Sequence, residues 1–313
     1  MILQESLEAM AARQDEGKRV RPIYERFGFA ALPDTIAGLF EQTPAGVPIS
    51  AGTGLDRAYD RIVLVILDAF GWRFFEEYAD SHPFLQRIAG HGVVAKLSSQ
   101  FPSTTAAHMT TIHSGLPVGA SGVYEWFMYD PHVDAIIAPL LFSFAGEKQR
   151  ETLLAAGVAP EHILPRTTFY QRLGAQGIAS FVFQNVEYAR STFSNSVTAG
   201  ATLRPYRTFS EACVMLAQHA AQQREQAYYV VYTDTIDTIA HQHGPASAHL
   251  AAEIQTVLAT LERTLYPGLA ALPGSTLLLV TADHGQIDVN PRTVVYLDQS
   301  LPELTGLLRH NRA

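Results

Sequence analysis

The sequence predicts an α/β fold with a mainly parallel central sheet flanked by helices. Three apolar segments, "RIVLVIL" from residue 61, "AYYVVYT" from residue 227 and "STLLLVT" from residue 275, carry this prediction. Each has the length and the Val, Ile and Leu content of a strand that is buried on both faces of a parallel sheet. "GIASFVF" is a weaker example of the same pattern.

Helix-like segments separate these strands. The clearest are "HPFLQRIAGHG", "FSEACVMLAQHAAQQREQ" and "ASAHLAAEIQTVLATLERTL". Because strands that alternate with helices favour parallel crossover units, the order along the chain supports the α/β class.

The chain is predicted to form one α/β domain over residues 1–313, with a lead-in up to about residue 55. From about 116 to 205 the pattern is irregular and rich in aromatic residues, and we interpret it as an inserted segment that covers the functional site. Its aromatic residues include Trp126, Phe127, Tyr129 and Tyr188. They could contact a ligand or form a small core of the insertion, and the sequence leaves both alternatives open.

Composition excludes several classes of function. The formal net charge is −8 and no dense basic run occurs, which argues against binding a nucleic-acid polymer. The single cysteine, Cys213, allows no internal disulfide. Glu5 and Glu8 stand where a signal peptide needs a basic start and an apolar core, and no apolar run approaches the ~20 residues that span a bilayer. We therefore expect a cytoplasmic protein without membrane contact.

Acidic residues and a histidine follow the three confident strands. Asp68 ends the first, Asp234 and Asp237 follow the second, and Asp283 and His284 follow the third. Ligands of open α/β sheets bind at the carboxyl ends of the strands, so these side chains are expected to meet. Carboxylate and imidazole groups are suitable ligands for Zn²⁺ and related ions.

The spacing after the second strand favours two of the four residues there. Asp237 and His241 are four residues apart, so a helix places them on one face. Asp234 lacks a histidine at that spacing, and His243 lies just before a Gly-Pro pair. We interpret Asp237 and His241 as ligands, and Asp234 and His243 as local scaffolding.

Asp283 and His284 are neighbours, and adjacent residues of an extended strand point to opposite faces. They share a site only if the chain turns there, and Gly285 is expected to permit that turn.

The segment "FPSTTAAHMTTIHSG" offers the hydroxyl groups of Ser103, Thr104 and Thr105 at the start of a predicted helix. A helix cap alone would account for them. A hydroxyl at a helix N-terminus also lies where the backbone N–H groups receive an anion, so cap and nucleophile are compatible roles.

Four blocks, "ILDAFG", "FPSTTA", "DTIAHQHGP" and "TADHG", occur in this order between residues 62 and 285. With these blocks the sequence resembles the alkaline phosphatase superfamily, and within it the type I phosphodiesterase/nucleotide pyrophosphatase family. The resemblance implies an alkaline-phosphatase-like fold and a phosphodiesterase-type hydrolase acting on small-molecule phosphoesters.

The resemblance also implies two divalent metal ions, usually Zn²⁺, as cofactors. One ion would be bound by Asp68, Thr105, Asp283 and His284, and the other by Asp237, His241 and a third ligand. Thr105, the third residue after "FP", would be the catalytic nucleophile that forms a phospho-threonine, with Thr104 as the alternative. His108 stands where nucleotide pyrophosphatases have an asparagine that contacts phosphoryl oxygens, and it is predicted to bind substrate. His108 and His113 could equally be histidines of the helix face near the pocket.

The third ligand of the second ion is a histidine far downstream of Asp-His-Gly in this family. His310 is the only histidine after His284, and its context, "GLLRHNRA", does not match that motif. We therefore expect the natural chain to continue beyond Ala313. A stop codon directly after Ala313 in the source reading frame would contradict this expectation.

Other functions remain as alternatives. A phosphomonoesterase, a phosphonoacetate-hydrolase-like enzyme and a non-catalytic member that binds metal or phosphate all fit the same motifs. A sulfatase would need a Cys/Ser-x-Pro-x-Arg motif, and a metal-free nucleotide-binding domain would need a glycine-rich phosphate loop after a strand. The sequence contains neither motif.

Overall fold

Eight strands occur in the computed structural model, which describes residues 1–16, 19–43, 45–48, 53–55 and 57–305. In chain order they are β1 (Arg61–Leu67), β2 (Met128–Asp130), β3 (Ala135–Ala138), β4 (Ser143–Phe144), β5 (Ala179–Asn185), β6 (Thr202–Tyr206), β7 (Ala227–Thr233) and β8 (Thr276–Thr281). Five of them form a central sheet in the order β6-β5-β7-β1-β8, and all its pairs are parallel. This confirms the predicted fold class.

Helices flank the sheet over the described residues. They are α1 (Gln4–Ala11), α2 (Leu32–Glu41), α3 (Trp72–Tyr78), α4 (Pro83–His91), α5 (Thr105–Ser114), α6 (Val118–Ser121), α7 (Thr152–Ala155), α8 (Phe169–Gly174), α9 (Thr192–Val197), α10 (Phe209–Gln222), α11 (Thr235–His243), α12 (Ala248–Thr260), α13 (Tyr266–Ala270), α14 (Leu297–Ser300) and α15 (Pro302–Thr305). Short 3₁₀ segments occur at Phe29–Ala31, Pro160–His162 and Pro291–Thr293, and a π-helical turn at Leu261–Leu265 joins α12 to α13. No helix among the described residues is long and apolar enough to cross a membrane.

Strand β1 shows why the sheet forms at this sequence. All seven of its residues are buried, and its alternate side chains belong to different cores. Ile62, Leu64 and Ile66 pack into one hydrophobic core, and Val63 and Val65 into the core on the opposite face. A continuous apolar run is therefore required here, because both faces of the strand are covered by helices.

The register of the sheet determines where the functional residues lie. Leu67 pairs with Thr233 of β7, and Ile66 pairs with Thr281 of β8. The carboxyl ends of β7, β1 and β8 therefore lie level with one another. Their following loops meet at a single edge, as the sequence predicts.

The predicted inserted segment, about 116 to 205, extends too far at its C-terminal end. It contains β5 and β6, which are strands of the central sheet. Only its first part, with the antiparallel sheet β2-β3-β4, lies outside that sheet.

Candidate active site

Asp68, Asp283 and His284 lie together at the carboxyl edge of the sheet. The His284 Nε2 atom is 3.4 Å from Asp68 Oδ1 and 3.6 Å from Asp283 Oδ2. One potential ligand atom from each residue lies within 4.8 Å of the others. Among the described residues, this is the only group of three or more His, Cys, Asp or Glu side chains with such a spacing.

Two loops in close contact bring these residues together. The Ala69 backbone N–H, directly after Asp68, donates to Asp283 Oδ1 at 3.1 Å. A Cβ atom on Gly71 would lie 2.6 Å from the Cα of Gly285, so the loops after β1 and β8 meet glycine against glycine. The chain bends at Asp283, as predicted, and Gly285 has a φ outside the left-handed range. Its role is to allow this close approach.

The start of α5 places the Thr105 hydroxyl beside this group. Its Oγ1 atom lies 3.2 Å from His284 Nε2 and 3.5 Å from Asp68 Oδ2. The preceding residue, Thr104, is the N-cap, and its hydroxyl accepts a bond from the Ala107 N–H. The two adjacent threonines thus have different surroundings, because one hydroxyl caps the helix and the other faces the carboxylates.

The electrostatics of the group favour a bound cation. Asp68 Oδ1 and Asp283 Oδ2 are buried and have no hydrogen-bond partner among the described residues. Burial, followed by the negative charges of Asp283 and Asp237, raises the pKa of Asp68 well above its usual value. Two orphaned carboxylate oxygens facing an imidazole nitrogen form a donor set suited to Zn²⁺, so these residues fit a divalent ion.

Helix α11 presents Asp237 and His241 on one face, as their spacing predicts. Asp237 Oδ2 is 3.5 Å from His241 Nε2, and Asp237 Oδ1 accepts a bond from Gln286 Nε2 at 2.5 Å. The His241 side chain is 72% exposed. No third His, Cys, Asp or Glu of the described chain joins the pair in a compact ligand group. His310, the only downstream histidine, lies outside the described residues.

The residues interpreted as scaffolding have distinct positions. Asp234 precedes α11 at its N-cap, although its side chain makes no capping bond, and it lines the pocket described below. The His243 ring stacks on the ring of His249 with their centres 4.0 Å apart.

His108 is fully buried and its ring is committed to the backbone. Its Nε2 atom accepts a bond from the Gln100 N–H at 2.8 Å, and its Nδ1 atom lies 2.7 Å from the Thr104 carbonyl oxygen. The proton must therefore be on Nδ1, and burial lowers the pKa of the ring, which keeps it neutral. These contacts favour a role in holding the 100–104 loop, while the substrate-binding role predicted for His108 stays a prediction.

A pocket of about 180 Å³ opens beside Thr105 and Asp68. Its other lining residues come from several elements: Met109, Trp126, Leu140, Leu141, Arg150, Gln184, Tyr188, Ser191, Phe193, Ser194, Tyr232, Asp234, Asp237 and Thr238. Trp126 and Tyr188, two of the four aromatic residues singled out from the sequence, belong to this wall. The first part of the irregular segment and the start of α9 therefore enclose the site.

Sequence reasoning missed two residues that hold the acidic groups. The Tyr232 hydroxyl donates to Asp68 Oδ2 at 2.5 Å, and Gln286 donates to Asp237. Tyr232 lies near the end of β7, beside the end of β1, and only knowledge of the strand order would have drawn attention to it. Gln286 directly follows Asp283-His284-Gly285, but nothing in the sequence indicates its partner.

Comparison with known proteins identifies the family. The model of the type I phosphodiesterase/nucleotide pyrophosphatase family matches residues 62–312. The chain belongs to this family. A comparison with curated proteins found no significant match.

Two solved structures of murine ectonucleotide pyrophosphatase/phosphodiesterase 5 are similar in fold. One is an inactive threonine-to-alanine variant in complex with AMP, with a TM-score of 0.58, 20% identity and coverage of 77% of this chain and 61% of that chain. The other structure of the same protein has a TM-score of 0.56 and 19% identity, with the same coverage. The present chain thus spans about three fifths of the length of these relatives.

Proposed function

We propose that this chain is a metal-dependent phosphoester hydrolase of the phosphodiesterase type, with Thr105 as its nucleophile. The observation that carries the proposal is the position of the Thr105 hydroxyl. It lies 3.2 Å from His284 and 3.5 Å from Asp68, in the lining of a pocket. The inactivity of a threonine-to-alanine variant of the murine relative supports a threonine in this role.

The chain's own groups suit a two-step reaction. The Thr105 oxygen, after loss of its proton, forms a bond to phosphorus while the bond to the leaving-group oxygen breaks. Water then cleaves the resulting phospho-threonine and restores the hydroxyl. The capping bond of Thr104 fixes the first turn of α5, whose free backbone N–H groups favour a negatively charged phosphoryl group nearby.

The proposed enzyme uses two divalent ions, expected to be Zn²⁺. Asp68, Thr105, Asp283 and His284 would bind the first ion, and Asp237 and His241 would contribute to the second. Such ions lower the pKa of a nearby hydroxyl and offset the charge of phosphoryl oxygens. The orphaned oxygens of Asp68 and Asp283 support the first position, and the 3.5 Å approach of Asp237 and His241 supports the second.

The proposed substrates are small phosphoesters. A pocket of about 180 Å³ accommodates a small organic group, and its wall combines apolar side chains such as Leu140 and Phe193 with polar ones such as Gln184. The murine relative was solved with AMP, which is consistent with a ligand of this class.

The proposal is tested by hydrolysis of bis(p-nitrophenyl) phosphate and p-nitrophenyl phosphate, with and without added zinc. Metal content is measured on the same preparations by plasma mass spectrometry. We expect metal-dependent turnover with faster cleavage of the diester. Thr105→Ala, purified in parallel, controls for contaminating phosphatases and should retain metal but lose turnover. Equal activity of this variant and the wild type would contradict the proposal.

A non-catalytic, metal-binding role is the second candidate. One observation favours it: within the described part of the chain, Asp237 and His241 have no third protein ligand nearby. Stoichiometric metal binding without turnover of either ester would support this alternative.

A further inference from the structure

The pocket beside Thr105 contains one basic side chain. Among its described lining residues, Arg150 is the only lysine or arginine, whereas three carboxylates, those of Asp68, Asp234 and Asp237, face the same space. Asp68 and Asp237 belong to the proposed metal ligands. Arg150 does not, so its charge is available for another purpose.

No carboxylate of the described chain neutralises Arg150 in an ion pair. Its side chain is exposed, and its charge acts on the neighbouring Asp234 only from a distance. An arginine that is free of a partner and lines a pocket presents up to five N–H donors to a ligand.

The backbone on both sides of Arg150 is fixed. The Ser143 hydroxyl donates to the Gln149 carbonyl oxygen at 2.9 Å, and the Glu151 N–H donates to the Leu141 carbonyl oxygen at 3.0 Å. The Glu151 carboxylate in turn accepts a bond from the Thr192 N–H at 2.9 Å, which ties this loop to the start of α9. The loop therefore holds the Cα of Arg150 in place while the side chain stays free, an arrangement suited to ligand recognition.

Two other polar atoms of the pocket lining do not supply such a contact. The Tyr188 hydroxyl and the Gln184 Oε1 atom are buried, so a ligand in the pocket does not reach them. The free, exposed guanidinium of Arg150 therefore points to an anionic ligand group in this pocket.

We propose that Arg150 binds a second acidic group on the part of the substrate that fills this pocket. The inference rests on the proposed function, and it narrows the substrate class. Preferred substrates carry a carboxylate in addition to the reacting phosphoester. Selectivity for such compounds arises because guanidinium–anion hydrogen bonds are charge-assisted and geometrically specific.

The test uses substrates that differ by one carboxylate. They are p-nitrophenyl phenylphosphonate and its 3-carboxyphenyl and 4-carboxyphenyl counterparts, which share the reacting phosphorus and the leaving group. For the wild type, kcat/KM should be about tenfold higher for at least one carboxylate substrate, as expected for one charge-assisted hydrogen bond. Arg150→Gln should remove this preference and leave the uncharged-ring substrate within about twofold. Arg166→Gln, at an exposed arginine outside the pocket lining, is the matched control and should keep the preference.

A binding measurement separates this inference from the proposed function. Phenylphosphonate and its two carboxyphenyl counterparts are titrated calorimetrically into the wild type and both variants. If no ester is hydrolysed but the wild type still binds a carboxyphenyl compound more tightly, and Arg150→Gln abolishes the difference, the hydrolase proposal fails and the inference stands. The inference is overturned if the wild type shows no preference, or if Arg150→Gln weakens all compounds equally or none.

Discussion

The Thr105 hydroxyl lies 3.2 Å from Nε2 of His284, although 179 positions separate the two residues in the chain. The contact forms because His284 follows β8, and β8 pairs with β1 at the centre of the site. Asp68, at the end of β1, approaches the same hydroxyl. The sheet therefore supplies the acidic groups and the start of α5 supplies the hydroxyl.

This geometry predicts opposite effects for two adjacent threonines. Thr105→Ala should abolish hydrolysis of bis(p-nitrophenyl) phosphate with little change in the free energy of unfolding. Thr104→Ala removes the cap of α5 and should cost about 1 kcal/mol of stability while retaining most activity. Urea unfolding and steady-state kinetics on both variants measure the two effects. Loss of turnover in Thr104→Ala alone would reverse the assignment.

The contacts of His108 predict a structural phenotype. His108→Ala leaves the Gln100 N–H without its partner and removes one of the two bonds to the Thr104 carbonyl oxygen, and should cost about 2 kcal/mol or more of stability. Because the loop before Thr105 would loosen, kcat should fall with KM little changed. A direct substrate contact would instead raise KM with little effect on stability, so unfolding curves and kinetics together decide between the two roles.

The elements that the sequence predicts correctly share one property: the residue pattern that indicates each of them lies within a single short segment. The runs around Val63, Val230 and Leu278 indicate strands because both faces of each run are apolar, and polar residues at their ends then indicate the site. The helical spacing of Asp237 and His241 is likewise contained within one turn.

The features that the sequence does not predict depend on which other segments of the fold a segment contacts. Strand β6 is an edge strand that contains Arg204 and Pro205, and edge positions tolerate both because one side of the strand is unpaired. Its sequence therefore lacks the apolar run of a central strand, and the sequence does not predict a strand there. The bonds from Tyr232 to Asp68 and from Gln286 to Asp237 depend in the same way on tertiary proximity.

Without bound metal, the buried carboxylate of Asp68 should lower the stability of the folded protein. Burial and the nearby charges of Asp283 and Asp237 raise its pKa in the folded state. A carboxyl group whose pKa is raised in the folded state stabilises the folded protein at pH values below its usual pKa. This stabilisation is lost as the pH rises through the folded-state pKa. In chelator, Asp68→Asn should therefore raise the melting temperature, and by more at pH 8 than at pH 5.

Zinc should reverse the order of stability, because ions stabilise only a chain with an intact ligand set. Scanning calorimetry with chelator and with zinc measures both effects. Asp80→Asn, at an exposed aspartate outside the site, is the control and should respond to neither condition. A lower melting temperature of Asp68→Asn in chelator at pH 8 would contradict this prediction.

His113 should make the protein sensitive to acid. Burial lowers the pKa of His113 to about 3, so the unfolded chain binds a proton that the folded chain excludes. Stability is complete above the ordinary histidine value and declines by about 1.4 kcal/mol per pH unit as the pH falls towards the folded value. His113→Gln keeps a polar partner for the Tyr170 hydroxyl and should give a flatter decline between pH 6 and pH 4.

The measurement is the free energy of unfolding in urea at each pH. His91→Gln, at an exposed histidine at the end of α4, should leave the slope unchanged. Equal slopes for the wild type and His113→Gln would show that His113 is protonated in the folded protein.

The contact between Gly71 and Gly285 should be essential for the site. A methyl group on Gly71 would lie 2.6 Å from the Cα of Gly285, and because the obstacle is backbone, the two loops must separate. Gly71→Ala should therefore cost about 1–3 kcal/mol of stability and weaken zinc binding and turnover more than tenfold. Gly90→Ala is a matched control, since a methyl group there meets nothing within 4 Å and should stabilise α4 by about 0.5–1 kcal/mol. Zinc affinity is measured by calorimetric titration of both variants, and stability by unfolding curves. If Gly71→Ala binds zinc as tightly as Gly90→Ala, the contact between the two loops does not determine the geometry of Asp68 and His284.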